Sequence, residues 1–372
     1  MRRPRAAGGR LCIGLMSGTS LDGVDAVLAQ FTGKRARVLS SSHVAFGARL
    51  RRELFFLNTP GKNEIHRAAL AGNALARHYA AAVRKLLVAS GTRAAAIAAI
   101  GCHGQTIRHR PELGYTTQIG NPAMLAELTG IPVVANFRSR DVAAGGQGAP
   151  LAPALHAAIF LSRGEDRAIL NLGGIANLTL LRRGRRVLGF DSGPGNCLLD
   201  LWAARHLRRP HDAGGRWADS GEPDARLLAR LLREPYFPAR PPKSTGRDLF
   251  NAAWLERALR GRAGLRARDV QATLLDLTAR TVAEALRRHG RGVKRVIACG
   301  GGVHNRALMR RLARLIAPAQ LESSARHGID PQLVEATAFA WLAQRTLAGA
   351  PGNLPAVTGA RGPRVLGAVY PA

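Results

Sequence analysis

Apolar and polar residues alternate in short blocks along the chain, and the blocks predict strands and helices in turn. Apolar runs at 11–17, 23–30 and 35–46 predict three strands, and only a tight hairpin turn fits between the first two. The Ala- and Leu-rich stretch Glu64–Ser90 predicts a long helix. The next predicted elements are strands at 96–102, near 116–120 and at 131–135, and a short helix at 122–129.

The pattern restarts near Arg167. The segment 167–181 again predicts strand, glycine turn and strand, and Arg186–Phe190 predicts a third strand. The elements predicted after it are helices at 195–207, 225–233, 251–260 and 269–290, a strand at Val293–Cys299, and helices at 304–315 and Pro331–Leu347. Because both halves begin with three strands and continue with helices and strands, we expect an α/β protein of two related lobes with a central cleft. We place the first lobe at 1–140 plus 355–372 and the second at 141–354.

Basic side chains far outnumber acidic ones. The 372 residues include 55 Lys and Arg against 24 Asp and Glu, a formal net charge of +31, while aromatic residues make up only 5%. Proteins that bind single-stranded nucleic acid interleave aromatic side chains with basic ones. We therefore expect no nucleic acid as a partner, and the charge predicts that the substrates are anionic without identifying them. A nucleic-acid-associated ATPase is the alternative that the charge alone suggests.

The apolar runs are too short for a membrane protein. No window approaches the roughly 20 unbroken apolar residues that span a bilayer. Gly14, Ser17 and Gly18 interrupt the run that follows the basic N-terminus, so we expect no secretory signal. The four cysteines form no C-x-x-C pair and mostly lie in apolar runs. These features predict reduced thiols in a cytoplasmic protein with no membrane partner.

The turn Ser17–Gly23 is a candidate phosphate site. Its glycines and hydroxyl side chains bring backbone N–H groups and hydroxyls to one point between two strands. The neighbouring carboxylates of Asp22 and Asp25 suit a phosphate that arrives with a divalent cation. The chain has no P-loop and no G-x-G-x-x-G at a helix start. An ordinary hairpin with polar turn residues is the alternative.

Two further segments follow predicted strands. Asp191 comes directly after the strand that ends in VLGF, and Pro194 and two glycines shape the turn behind it. A carboxylate so placed can accept a proton from an attacking water or hydroxyl, although it could instead cap the next helix. The three glycines 300–302 join a strand to a helix and would let a nucleotide approach the backbone closely, a flexible loop being the alternative.

Several polar residues could contact a sugar. His103 and His109 are six residues apart with no carboxylate nearby, which is poor metal-ligand spacing, so polar contacts or plain loop structure are favoured. Arg138 could grip a carboxylate bidentately or lie in a solvated turn. The helical neighbours of Glu335 at i+3, i+4 and i+7 are all apolar. We therefore expect Glu335 on a buried stripe, paired with a ligand hydroxyl or with an arginine in a structural salt bridge.

These segments together resemble the anhydro-N-acetylmuramic acid kinase family. The resemblance runs in order from about residue 11 to 367. It is carried by the strings MSGTSLDGVD (16–25), CHGQT (102–106), QIGNP (118–122), FRSRDVAAGGQGAPL (137–151), NLGGIANLT (171–179), DSGPGN (191–196), PPKSTGRDLFN (241–251) and GGGVHN (300–305).

The resemblance implies a two-lobed, actin-like ATPase of the hexokinase–actin superfamily, with ribonuclease H-like lobes that close over ATP and Mg²⁺. The family phosphorylates O6 of 1,6-anhydro-N-acetylmuramic acid while water opens the anhydro bridge, which gives N-acetylmuramate 6-phosphate for cell-wall recycling. A homodimer is also implied. The alternatives are another small-molecule or sugar kinase on the same scaffold and an ATP-binding regulator without chemistry.

The resemblance also implies roles for single residues. Asp191 matches the catalytic base, and no metal ligand is identified. The positions implied for ATP binding, with the phosphate hairpin in the first lobe and the others in the second, are Gly18, Thr19, Ser20, Leu21, Asp22, Gly23, Val24, Asp25, Gly173, Gly174, Gly300, Gly301 and Gly302. The positions implied for sugar binding are His103, Gln105, Arg138 and Glu335.

Overall fold

The computed structural model describes residues 10–18, 20–262 and 264–372, and the chain divides into two compact units. Unit 1 runs to Ile159 and resumes with Leu333–Ala372, and unit 2 is Phe160–Gln332. The chain therefore leaves unit 1 near the end of one helix and returns to it just before another.

The first part of unit 1 contains β1 (Leu11–Met16), β2 (Gly23–Thr32), β3 (Arg35–Ala45), α1 (Ala48–Phe56), α2 (Glu64–Ser90), β4 (Ile97–Cys102), β5 (Gln105–Arg110), β6 (Tyr115–Ile119), α3 (Pro122–Thr129), β7 (Val133–Ala135), α4 (Ser139–Ala143) and α5 (Ala152–Phe160). Unit 2 contains β8 (Asp166–Leu172), β9 (Ile175–Leu181), β10 (Leu188–Pro194), α6 (Cys197–Leu207), α7 (Arg216–Asp219), α8 (Ala225–Leu231), α9 (Ala252–Leu259), α10 (Ala267–His289), β11 (Val293–Cys299), α11 (Arg306–Ile316) and β12 (Gln320–Ser323). The last part of unit 1 contains α12 (Val334–Leu347), α13 (Pro355–Thr358) and β13 (Ala368–Tyr370).

Unit 1 is built on a six-stranded sheet of order β13-β7-β4-β1-β2-β3. Strands β1, β2 and β3 are antiparallel neighbours, and β4 and β7 continue the sheet in parallel from β1. Helix α2 covers one face, where Leu75 and Tyr79 are buried in the hydrophobic core. Helix α12 covers the other face, where Ala336 and Ala340 pack with Cys12 of β1.

Helix α12 lies directly on the sheet at two glycines. A Cβ on Gly14 would overlap the backbone carbonyl of Ala336, and a Cβ on Gly101 would overlap that of Phe339. Only glycine permits this close approach of helix and strands. The contact fixes the start of α12, which carries Glu335, against the central strands of unit 1.

Unit 2 is built on a five-stranded sheet of order β10-β9-β8-β11-β12. Strands β8, β9 and β10 form an antiparallel meander, and β11 and β12 continue in parallel from β8. Helices α10 and α11 supply much of its core, with Leu274, Leu277, Leu308 and Leu312 buried beside Val296.

The two sheets share one strand order. In each, a three-stranded meander is followed by two strands parallel to its first strand, as β3-β2-β1-β4-β7 and as β10-β9-β8-β11-β12. This is the order of the ribonuclease H-like fold. The predicted α/β fold class and the predicted repeat of two related units are therefore confirmed.

The division of the chain differs from the predicted lobe boundaries. Segments 141–159 and 333–354 lie in unit 1, not with the second lobe. Leu155 of α5 and the alanines of α12 cover the open face of the first sheet. The apolar pattern of a helix does not show which sheet it covers, because that depends on partners such as Gly14 and Gly101.

Most predicted elements are present within a few residues, but some short ones were not foreseen. Among these are α1, β5 and β12. The sequence of β5, QTIRHR, is mostly polar, and the sequence of β12, QLES, has only four residues. Neither gives the alternation or the apolar run that marks a strand.

Candidate active site

Asp191 lies on β10 opposite Asn177 of β9 and is partly buried. Its backbone N–H donates to the carbonyl of Lys243 at 3.1 Å, and its Oδ2 accepts the N–H of Thr245 at 3.0 Å. Desolvation raises the pKa of Asp191 to about 6, although the donors Thr245 and Ser244 and the Lys243 charge lower it. The carboxylate is thus ionised at neutral pH and retains affinity for a proton, as a general base requires.

The position of Asp191 differs in detail from the prediction. Strand β10 does not end at Asp191 but continues to Pro194, with a shift of register between Asp191 and Gly193. The helix-cap alternative is excluded, because α6 begins at Cys197 and its N-cap residue is Asn196.

A loop that the sequence analysis left without a role holds Asp191 in place. The Nζ of Lys243 donates to the carbonyls of Tyr236 and Phe237, each at 2.9 Å, and lies 4.5 Å from the centre of the Tyr236 ring. The Tyr236 hydroxyl donates to the backbone carbonyl of Asp191 at 2.9 Å. The string PPKSTGRDLFN was the sequence signal for this loop, but nothing in it showed that it packs against Asp191.

The Gly173–Gly174 turn joins β8 to β9 and packs against the start of α6. The Gly173 carbonyl accepts the N–H of Asn196 at 2.8 Å, and the Gly174 carbonyl accepts the N–H groups of Gly195 and Cys197 at 2.9 and 3.0 Å. These contacts use the carbonyl oxygens of the turn and fix its backbone next to the loop that follows Asp191.

The Gly300–Gly302 triplet lies beside the end of the same strand, β8. Gly300 has φ +83°, and a Cβ on it would overlap Asn171, while a Cβ on Gly302 would lie 2.7 Å from the Leu172 Cβ. A Cβ on Gly301 would meet nothing within 4 Å. Unit 2 therefore brings the triplet and the Gly173–Gly174 turn together, as the nucleotide-binding prediction requires, and leaves open space at Gly301.

The triplet does not lead straight into a helix. A short 3-10 turn, Gly301–His304, separates it from α11, whose first turn is capped by the Asn305 side chain through the N–H of Leu308 at 3.0 Å. The start of this helix, where the sequence predicted phosphate to bind, is therefore set apart from the glycine triplet by one short turn.

The predicted phosphate hairpin of unit 1 is a tight turn, of which Thr19 lies outside the described residues. The N–H of Leu21, at φ +55°, donates to the Gly18 carbonyl at 3.3 Å, and the Ser20 hydroxyl donates to Asp22 at 2.6 Å. Gly23, Val24 and Asp25 already belong to β2. The turn thus exists as predicted, although Leu21 and Val24 direct their side chains into the core.

His103, Gln105 and Arg138 are brought together in unit 1. Arg138 donates through Nε and Nη2 to the His103 Nε2 at 3.1 and 2.9 Å and through Nη1 to the Gly148 carbonyl at 2.8 Å. Gln105 donates to the Gly18 carbonyl at 3.2 Å, so this group reaches the phosphate hairpin. Burial and the Arg138 charge lower the pKa of His103 to about 3, which keeps the imidazole neutral.

Polar atoms in this group are left for a ligand. Within the described part of the chain, the buried His103 Nδ1 and Gln105 Oε1 have no hydrogen-bond partner. His103 also lines a cavity of about 280 Å³ together with Tyr79, Gln118 and Asn121. Buried polar atoms without partners are costly, so a polar ligand beside them would be favoured.

Glu335 does not lie on the buried stripe that the sequence predicted. Its side chain is exposed, while its neighbours Ala336 and Phe339 are buried. Desolvation by the surrounding protein still raises its pKa; the Arg138 charge lowers it and the Asp25 charge raises it. Glu335 is thus electrostatically coupled to Arg138 and to Asp25, next to the phosphate hairpin, and is reachable by a ligand.

The described residues contain no group of three or more His, Cys, Asp and Glu side chains that could enclose a metal ion. Magnesium in kinases is usually held by one or two carboxylates together with substrate phosphates. Asp22 and Asp25, both solvent-accessible beside the unit 1 hairpin, fit that pattern.

The chain is similar to known proteins along its whole length. A family model described as anhydro-N-acetylmuramic acid kinase matches residues 10–372. The protein of that name from Variovorax paradoxus is 56% identical over 373 residues, covering 98% of this chain and 100% of the relative. The one from Bordetella pertussis is 57% identical over 368 residues, covering 98% of this chain and 97% of the relative.

Among solved structures, the activator of the 2-hydroxyisocaproyl-CoA dehydratase from Clostridium difficile is similar at a TM-score of 0.47 and 14% identity, over 89% of this chain and 92% of that chain. The family model and the relatives show that this chain belongs to the anhydro-N-acetylmuramic acid kinase family.

Proposed function

We propose that this enzyme uses ATP to phosphorylate O6 of 1,6-anhydro-N-acetylmuramic acid and water to open the anhydro bridge, giving N-acetylmuramate 6-phosphate in cell-wall recycling. Membership of the kinase family supports the reaction class. The observation that carries the chemistry is Asp191, a partly buried carboxylate with a pKa of about 6 in the same unit as two glycine turns.

Asp191 acts as the general base of the reaction. It takes a proton from water as the water oxygen forms a bond to C1 of the sugar, and the C1–O6 bond breaks. The electron pair left on O6 attacks the γ-phosphorus of ATP, the bond to the β,γ-bridging oxygen breaks, and ADP leaves. A positioned carboxylate that activates water at a sugar carbon plays the same part in inverting glycoside hydrolysis.

Unit 2 holds the nucleotide through backbone. The Gly173–Gly174 turn and the open Gly301 let phosphate and nucleoside approach main-chain N–H groups without steric obstruction. In unit 1, the Gly18–Asp25 hairpin binds phosphate, and Asp22 and Asp25 would hold Mg²⁺. When bound, that ion offsets the negative charge of the phosphates.

The polar group of unit 1 binds the sugar. Three of the five N–H groups of Arg138 are used within the protein, so two remain for the substrate's carboxylate. The neutral His103 and Gln105 offer unpaired polar atoms, and the exposed Glu335 accepts from a sugar hydroxyl.

An ADP-release assay across sugars tests the proposal. We expect turnover with 1,6-anhydro-N-acetylmuramic acid and none with glucose or acetate. In ¹⁸O-labelled water, mass spectrometry should find one labelled oxygen in the product. Turnover with an unrelated sugar alone would favour another sugar kinase, and an unlabelled product would refute the role of water.

No described helix has both the length and the apolar character needed to cross a membrane. We propose a cytoplasmic homodimer, since family resemblance implies a dimer and ATP is a cytoplasmic substrate. Light scattering coupled to size-exclusion chromatography tests the dimer, and a single peak at the monomer mass would contradict it.

A further inference from the structure

One arginine of unit 2 lies beside the Gly173–Gly174 turn. The Nη2 and Nε atoms of Arg247 are 3.8 and 3.9 Å from the position that a Cβ on Gly174 would take, and the Cys197 Cβ is 3.9 Å from the same point. The side chain is exposed. Among residues 10–18, 20–262 and 264–372, no carboxylate lies within ion-pairing distance of it, so its charge is not neutralised by contact.

The Arg247 charge acts at the start of α6, which braces the turn. Burial raises the pKa of the Cys197 thiol to about 11, and the Arg247 charge opposes this shift. Desolvation raises the pKa of Asp200 to about 6, and His211 and Arg247 oppose it. The guanidinium therefore contributes positive potential where the turn and α6 meet.

The loop that carries Arg247 is anchored on both sides. Before it, the carbonyl of Lys243 and the N–H of Thr245 bond to Asp191. After it, the N–H of Phe250, which is fully buried, donates to the Gly246 carbonyl at 3.1 Å. Arg247 is thus two residues along the chain from Thr245, which bonds to Asp191. In space it lies next to the Gly173–Gly174 turn.

We propose that Arg247 binds the terminal phosphoryl group of ATP and stabilises the charge that develops on it during transfer. This inference rests on the proposed function. Phosphoryl transfer spreads negative charge over three equatorial oxygens, and a guanidinium can meet two of them at once. Because the γ-phosphate must lie near the sugar at which Asp191 activates water, the loop that bonds to Asp191 and carries Arg247 is a suitable place for this contact.

Substitution of Arg247 tests the proposal. For Arg247→Ala we expect kcat to fall about 10²- to 10³-fold, the usual loss for one preorganised donor at a developing charge. The affinity for a non-hydrolysable ATP analogue should fall about tenfold or more, while that for ADP, which lacks the γ-phosphate, changes less than about threefold. Arg247→Lys should recover part of kcat, because it keeps the charge and loses the bidentate geometry.

Arg240→Ala is the matched control, since Arg240 is also an exposed arginine of the segment that leads into this loop. It should leave kcat and both affinities unchanged. The proposal is overturned if Arg247→Ala keeps kcat and analogue affinity within about threefold of the wild type, or if ADP affinity falls as much as analogue affinity. Absence of sugar-dependent turnover in the wild type would refute the proposed function instead, and the nucleotide affinities would still decide the role of Arg247.

Discussion

Replacement of Asp191 by asparagine should abolish most activity and stabilise the fold at neutral pH. The amide keeps the shape of the side chain, and its oxygen can still accept the N–H of Thr245. What it cannot do is take a proton from water. A positioned general base contributes about 10²- to 10⁴-fold, so we expect kcat of Asp191→Asn to fall by that factor while ADP affinity is unchanged.

The stability effect follows from the pKa of Asp191. The ordinary value of 3.8 rises to about 6 in the fold, a shift of about two units, and each unit corresponds to about 1.4 kcal/mol. Ionised Asp191 therefore costs the native state up to about 3 kcal/mol at pH 7. Because folding raises the pKa of this acid, the cost is absent below pH 3.8, grows as the pH rises, and is complete above about pH 6.

Scanning fluorimetry at several pH values checks this prediction. At pH 7.5 the thermal midpoint of Asp191→Asn should exceed that of the wild type by roughly 4 °C, the shift that about 3 kcal/mol gives in a chain of 372 residues, and the difference should shrink towards pH 4.5. Wild-type kcat should fall as pH drops through about 6. Asp248→Asn, an exposed carboxylate of the neighbouring loop, should change neither property. The reasoning fails if Asp191→Asn keeps more than a tenth of kcat, or is less stable than the wild type at pH 7.5.

Three other predictions concern unit 1. Gly14→Ala should destabilise it by about 3 kcal/mol or more in thermal unfolding, because a methyl group would overlap the carbonyl of Ala336; Gly47→Ala, with open space around it, should cost far less. Asp141→Ala should raise the sugar KM and lower the thermal midpoint. Asp141 accepts the N–H of Gly148 at 2.8 Å, and the Gly148 carbonyl in turn accepts a hydrogen bond from Arg138. A sugar KM equal to that of the wild type would contradict this. The pH profile of the sugar KM should show no step between pH 6 and 7 from His103, whose pKa is about 3; such a step, lost in His103→Gln, would refute its neutral state.

Much of the fold follows from local pattern. The strand periodicity of 11–46 and 167–190 predicted both meanders, and the shared strand order confirms the repeat. The sequence could not show which sheet α12 covers. Its alanine-rich face suits any flat surface, and the choice depends on Gly14 and Gly101 on distant strands.

The residues of the candidate site could be predicted where a reactive side chain or a run of glycines lies in a segment that the sequence already marks as a turn. The glycine turns at 173–174 and 300–302 and the carboxylate of Asp191 could be found in this way, and unit 2 brings both turns to the end of β8. The prediction that Glu335 lies on a buried stripe was wrong. The spacing of apolar residues along a helix does not show which side of that helix other elements cover. No role was predicted for Arg247 or Lys243, since the contacts that link them to the site, Arg247 beside Gly174 and Lys243 with Asp191, join residues more than 50 positions apart.

Equivalent turns of the two related units have side chains of opposite charge beside them, and this difference yields a last prediction. The turn between β1 and β2 carries Asp22, and Asp25 follows it on β2. The equivalent turn between β8 and β9, Gly173–Gly174, has no side chains of its own and lies beside Arg247. Acidic groups suit a metal ion and the arginine suits bare phosphate oxygens. Asp25→Asn should therefore raise the Mg²⁺ concentration needed for half-maximal turnover several-fold, whereas Arg247→Ala should lower kcat at every Mg²⁺ concentration without moving that midpoint. A titration in which both variants shift the Mg²⁺ midpoint equally would show that the two turns do not divide the charges of the substrate in this way.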